Sequence, residues 1–228
     1  MNKVFLMAIF STLSIQASSI NIGYIQFSPY IYKDSKGALK GKIVTYANKL
    51  FNEKNIIWKP TPLKRVSRSL DENRIDIFVS FFKSPQREKE VEFPKAPYLT
   101  MRPTLCGKAQ DMPENLDSFD FIKDKTISFV SGTIIKDKFF GGKNINFVEI
   151  KIAKYRERTI SMLLDNKLQY SYYGDNTSIV EYISKDHSTL VKCLALPIPP
   201  FPVFMVTKKK SPLIKVIEEK IQKYGPLH

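Results

Sequence analysis

Ile75-Asp76-Ile77-Phe78-Val79-Ser80-Phe81-Phe82-Lys83-Ser84-Pro85-Gln86-Arg87 is an apolar run that ends in a turn and an arginine. From Ile75 to Phe82 it is nearly unbroken and rich in β-branched and aromatic residues. That composition suits a strand buried on both faces, as in sheets covered by helices on each side. Ser84-Pro85-Gln86 then reads as a turn. In parallel α/β sheets ligands collect beyond the carboxyl ends of the strands, where Arg87 would lie. A guanidinium there can grip a carboxylate through two parallel charge-assisted hydrogen bonds, with Ser80 or Ser84 adding a hydroxyl. Composition alone offers a plainer role, a surface arginine pairing with Glu88 or Glu90.

Upstream, Ile20 to Ile25 reads as a strand and Gln26 to Tyr30 as a loop. Ile43, Tyr46, Leu50 and Phe51 have helical spacing, which predicts a helix from after Gly41 to near Asn55. Ile56 to Trp58 is a second strand, and Lys64 to Glu72 a helix with Val66 and Leu70 on one face. Strand, helix, strand, helix, strand is the order of an α/β unit with a largely parallel sheet. From Leu105 a similar plan begins again. Lys125 to Val130, Asn146 to Ile150 and Tyr170 to Tyr173 read as strands. Ser131-Gly132-Thr133 caps a helix start, Ile152 to Leu168 reads as a helix, and another lies near Ser178 to Ser184. Leu190 to Leu196 leads into Pro197, Pro199, Pro200 and Pro202, a stiff extended passage. Val203 to Val206 is a last strand and Pro212 to Tyr224 a closing amphipathic helix, stopped at Gly225-Pro226.

The chain has a formal charge of +14. Its lysines are scattered, with Lys208-Lys209-Lys210 the densest run, and no nucleic-acid module is present. A solvated basic surface is the reading, with no nucleic acid as partner. Met1 to Ala17 reads as an export signal: Lys3, an apolar stretch from Val4 to Phe10, then small residues around Ala17-Ser18-Ser19. The apolar part is shorter than the ~20 residues that span a bilayer. The alternative is a buried first strand. No cysteine follows the run, which argues against a lipid anchor there. Cys106 and Cys193, the two cysteines, form a disulfide in an oxidising compartment or remain two buried thiols.

The histidines are His187 and His228, and His187 sits in a polar run that reads as a surface loop, not as a general base. No clustered metal ligands and no phosphate-cradling loop occur; Gly141-Gly142-Lys143 is a turn. No catalytic residue, metal or cofactor is expected. Asp175, after Gly174 and a strand end, can hold an ammonium group or cap the next helix. Thr133 lies at a helix start, where free backbone N–H groups attract anions, or simply caps it. Phe27 and Tyr30 flank Pro29, where rings can stack on a ligand or join the core.

In order, these residues resemble the family 3 extracellular solute-binding proteins, the periplasmic polar amino-acid-binding type. The resemblance is carried by Phe27-Ser28-Pro29-Tyr30, Gly37 and Gly41, and Pro62, Arg65, Leu70 and Asp76. It continues through Ser84-Pro85-Gln86-Arg87, Val91-Glu92-Phe93, Pro97-Tyr98, Gly132-Thr133 and Asp175, and is stronger in the first half. The chain departs from the pattern at Lys42-Ile43, Asn73, Gln86, Pro94-Lys95-Ala96 and Asn166-Lys167-Leu168-Gln169.

The resemblance implies a periplasmic-binding-protein-like type II fold, two α/β lobes joined by a two-crossing hinge. Lobe I would hold residues 18–103 plus 200–228, and lobe II residues 104–199. It implies that Arg87 holds a ligand carboxylate, Asp175 an amino group, and that Phe27 stacks on the ligand. Tyr30, Leu63, Arg65, Ser80, Phe81, Ser84 and Thr133 complete the expected ligand-contacting set. Arg65 and nearby lysines would suit a more anionic ligand. The expected protein is a non-enzymatic, monomeric periplasmic binder of a small carboxylate-bearing, amino-acid-like solute, delivering it to an ABC permease of the inner membrane. The alternatives are an orphan sensory or interaction module, or a dehydratase-like enzyme on the same fold with Asp175 as its acid or base.

Overall fold

The computed structural model describes residues 19–52, 55–116, 118–133, 144–151, 154–186 and 188–227. The expected signal segment, the Gly141-Gly142-Lys143 turn, both histidines and the helix expected after Thr133 lie outside them. The chain runs through β1 (Ile20–Tyr24), β2 (Tyr32–Lys33), β3 (Leu39–Lys40), α1 (Lys42–Phe51), β4 (Ile56–Pro60), α2 (Val66–Asp71) and β5 (Ile77–Phe82). It continues with α3 (Pro85–Glu90), β6 (Val91–Glu92), β7 (Leu99–Met101), β8 (Thr104–Lys108), β9 (Thr126–Val130), β10 (Asn146–Ile150) and α4 (Tyr155–Leu164). Last come β11 (Tyr170–Tyr173), α5 (Asn176–Asp186), β12 (Val191–Ala195), β13 (Phe201–Lys208) and α6 (Leu213–Tyr224).

Two sheets result. The first has strand order β4-β1-β5-β13-β6, with β7 also on β13. β1 lies parallel to β4 and β5, whereas β13 is antiparallel to β5, β6 and β7. The second is β10-β9-β11-β8-β12, with β9 parallel to β10 and β11, and β8 antiparallel to β11 and β12. The chain passes between them twice, from β7 to β8 and from β12 to β13. This is the two-lobed α/β architecture expected from the sequence.

Alternation along β5 shows why the first sheet is covered on both sides. Ile77 and Val79 enter a core with Ile43, Ala47 and Leu50 of α1 and Ile217 and Ile221 of α6. Phe78 enters the opposite core with Val66 and Leu70 of α2. The second sheet packs α4 and α5 on one face through Tyr155, Ile160, Leu163, Ile179 and Ile183. Its other face is covered by irregular chain carrying Met112, Leu116 and Ile122. Cys106 and Cys193 are register partners on β8 and β12 and are joined by a disulfide.

Several elements differ from their expected bounds. Ser84-Pro85-Gln86 is the first turn of α3 rather than a free turn: Ser84 Oγ accepts from Arg87 N at 3.2 Å, and Pro85 occupies the first helical position, where its missing N–H costs nothing. The helix expected to reach Leu168 ends at Leu164, but Leu168 still fills the same core after Asn166 turns through the left-handed region. The helix after Gly41 stops at Phe51, with Asn52 at positive φ. β7 and β8 were not anticipated; they are short or glycine-bearing and carry little alternation. β13 is longer than read and includes Pro202, which lies at the end of the strand where its partner is the short β7.

Candidate functional site

The carboxyl-terminal residues of the parallel strands converge from both sheets. Tyr24 of β1, Phe82 of β5, Val130 of β9 and Tyr173 of β11 all border one cavity of about 560 Å³. That is the position at which open α/β sheets bind ligands. Of the ten residues expected to contact ligand, Phe27, Leu63, Ser80, Arg87, Thr133 and Asp175 line this cavity. Tyr30, Arg65, Phe81 and Ser84 do not.

Arg87 is buried, 9% exposed, and so is not the surface arginine that composition allows. Glu88 instead pairs with Lys83, and Glu90 bonds Ser67 and Gln86. The Arg87 guanidinium lies 3.9 Å from the centre of the Phe81 ring. Nη1 donates to Phe82 O at 2.9 Å and Nη2 to Gly132 O at 2.8 Å. Its other three N–H donors make no hydrogen bond among the described residues. Burial pushes the guanidinium down to about 10, partly offset by Glu90, and it stays charged at neutral pH. Phe81 and Ser84 therefore serve Arg87, one as a ring beneath it and the other as the helix cap before it.

Asp175, 6% exposed, follows β11 on the opposite sheet. Its carboxylate accepts a hydrogen bond from the Tyr30 hydroxyl, which also meets Thr177. Tyr30 is itself buried, with its ring 5.2 Å from that of Phe27, so it reaches across between the sheets instead of facing the cavity. Burial first, then the Asp175 charge, push its phenol up to about 12, so it remains a donor throughout the neutral range. Replacing Tyr30 by phenylalanine keeps the ring and removes this bond. The expected result is about tenfold weaker solute binding, with secondary structure retained, since hydrogen bonds to charged groups contribute ~1.5–3 kcal/mol. Titration calorimetry of the variant checks it; an unchanged dissociation constant would show that the bond plays no part in binding.

The two halves also meet through main chain. Gly132 has φ +85°, and a Cβ there would stand 2.9 Å from Leu63 Cβ, so only glycine permits this approach. Lys64 pairs with Glu149 at 2.7 Å across the same seam. Arg65, next to it, is exposed and is not part of the cavity lining. Ser80 Oγ is buried with no hydrogen-bond partner among the described residues, although it lies beside the Tyr98 phenol. The Tyr98 hydroxyl itself donates to Val79 O.

Sequence reasoning missed the walls of the cavity. Tyr24, Phe82, Tyr172 and Tyr173 end their strands, and the rule that singled out Arg87 and Asp175 would also have found them. Met101, Arg156 and Val203 arrive through crossings and a helix start that carry no local signal. Burial pushes the Tyr172 and Tyr173 phenols up, so that wall is uncharged at neutral pH. Among the described residues no group of three His, Cys, Asp or Glu is placed to hold a metal ion, and no helix is long and apolar enough to cross a membrane.

The family model for bacterial extracellular solute-binding proteins, family 3, matches residues 20–224. The chain belongs to that family. Family 3 proteins are binding proteins of the periplasm or cell exterior, and the two-lobed fold with its inter-sheet cavity is theirs. Similar solved structures include a solute receptor for L-cysteine from Neisseria gonorrhoeae, with a TM-score of 0.76 and 17% identity over 92% of this chain and 86% of that one. An arginine-specific periplasmic binding protein of Salmonella typhimurium gives 0.73 and 17% over 91% and 93%. An ABC-transporter binding component from Wolinella succinogenes complexed with lysine gives 0.74 and 18% over 92% and 92%. No curated protein matches by sequence. At these identities the neighbours establish the fold of this family 3 protein, not its ligand.

Proposed function

We propose that this protein captures a small, carboxylate-bearing, amino-acid-like solute in the periplasm and presents it to an ABC permease of the inner membrane. In this reading residues 1–17 are removed on export and the mature chain acts as a monomer. Lobe I comprises residues 18–103 plus 200–228, lobe II residues 104–199, and solute bound between them favours the closed arrangement by its contacts to both.

One observation carries the reading. A buried cation from the first sheet, Arg87, and a buried anion from the second, Asp175, line the same cavity. They match the two charges of an α-amino acid: the guanidinium takes the carboxylate and Asp175 the ammonium. Phe27 and Leu63 pack on the ligand, and Ser80 and Thr133 offer their side-chain hydroxyls. Amino-acid ligands of the structural neighbours support the same class.

A thermal-shift screen with amino acids, small organic acids and peptides tests it. A solute at 100 times its dissociation constant adds ~2.7 kcal/mol, which for a chain of this size raises Tm by about 5–10 °C. Absence of a shift with every amino acid would overturn the proposal.

A further inference from the structure

Given the solute-binding reading, we infer that the site selects amino acids with neutral, apolar side chains, unlike the arginine- and lysine-binding neighbours. The argument is a charge inventory. Among the described residues lining the cavity, two ionisable groups of fixed charge are buried, Arg87 at 9% and Asp175 at 6% exposure. One cation and one anion neutralise the head group of a zwitterion. Among the described lining residues no further buried charged group is left for a third charge.

Inside the rim, the rest of the described lining is uncharged and largely apolar, with the hydroxyls of Thr61 and Ser80 the buried polar groups outside the tyrosines. Tyr24, Met101 and Val203 are buried at 4%, 4% and 1% exposure, and Phe27, Leu63 and Phe82 are half-buried around them. A guanidinium, ammonium or second carboxylate pressed against this wall would lose its hydration without gaining an opposite charge, which is strongly unfavourable. An aliphatic or aromatic side chain would instead be removed from water against matching surface. The volume of about 560 Å³ is generous for a free amino acid and leaves room for a large side chain.

The cavity rim adds to the discrimination. Its charged residues are Lys33, Lys154, Arg156 and Glu157, three cations and one anion, all exposed except the half-buried Arg156. This net positive mouth disfavours cationic solutes further. It attracts anionic ones only weakly, because solvated charges contribute little. Arg156 is also engaged, with Nη1 donating to Ser28 O at 3.4 Å and the guanidinium 5.2 Å from the Tyr182 ring centre.

Titration calorimetry on the folded, disulfide-bonded protein, freed of co-purified solute by unfolding and refolding, distinguishes the classes. The probes are leucine, methionine and phenylalanine against arginine, lysine, aspartate and glutamate. At least one neutral apolar amino acid is expected to bind about tenfold or more tightly than every charged one. Tightest binding of arginine or lysine overturns the inference and leaves the solute-binding proposal standing. Tightest binding of aspartate or glutamate does the same and assigns selection to the rim cations. If no amino acid of any class binds, the proposed function itself fails, and this inference with it.

Discussion

Replacing Arg87 by lysine is expected to weaken solute binding about a hundredfold while the protein remains folded. The substitution keeps the positive charge, so it isolates geometry. In the native site the guanidinium bonds two carbonyls, Phe82 O and Gly132 O, and rests on the Phe81 ring. Its planar fork does this while still presenting N–H groups to a carboxylate. An ammonium on a flexible stem cannot bond the two carbonyls and also make two parallel bonds to the solute. Truncating one partner of a buried hydrogen-bonded charge pair costs ~2–5 kcal/mol, and about 3 kcal/mol corresponds to roughly a hundredfold in affinity.

Stability is affected less, because the lost carbonyl partners are hydrogen-bonding groups near the cavity that water can reach. Calorimetric titration with the tightest amino acid reads the affinity, and circular dichroism reads the fold. A dissociation constant within about threefold of the native value would remove Arg87 from the binding machinery. Alanine at the same position should be at least as damaging, and a variant that folds but binds normally would make the same case.

How much of this site could be read from residues alone follows from what each contact is made of. The place of Arg87 at the sheet end was legible because it follows a strand of continuous apolar residues and the Ser84-Pro85-Gln86 turn, which are local signals, whereas its expected role as a ligand contact came from the family resemblance. Asp175 was legible for the same reason, past Tyr170–Tyr173 and Gly174. Their partners were not. Arg87 bonds Gly132 O, a backbone atom with no side-chain signature, on the opposite sheet. The alternatives for Tyr30 were a ring on the ligand or a ring in the core; it joins the core, and its hydroxyl meets an aspartate distant in sequence, a pairing only the tertiary fold creates. β8 was missed although it is paired on both sides in the second sheet, because Thr-Leu-Cys-Gly-Lys holds no clear period. Its identity as a strand comes from its neighbours.

The Cys106–Cys193 bond is expected to be the largest single contribution to stability in the second half of the chain. Cys106 is fully buried on β8, and Cys193 faces it on β12 in register. The bond closes a loop with a sequence separation of 87, which takes in β9, β10, α4, β11 and α5. For a loop of that length, loss of chain entropy in the unfolded state stabilises the fold by ~4–5 kcal/mol. The double replacement Cys106→Ala with Cys193→Ala should therefore lower Tm by about 10–15 °C, at the ~2–4 °C per kcal/mol typical of chains this long. Scanning calorimetry of the variant, and of the native protein with and without reductant, measures it. Neither cysteine lines the cavity. Solute affinity well below Tm should thus hold in the variant even as stability falls, which separates this effect from that of Arg87. An unchanged Tm would mean that the two antiparallel strands hold this half without the bond. A large loss ties correct folding to an oxidising compartment, because cytosolic thiols are kept reduced.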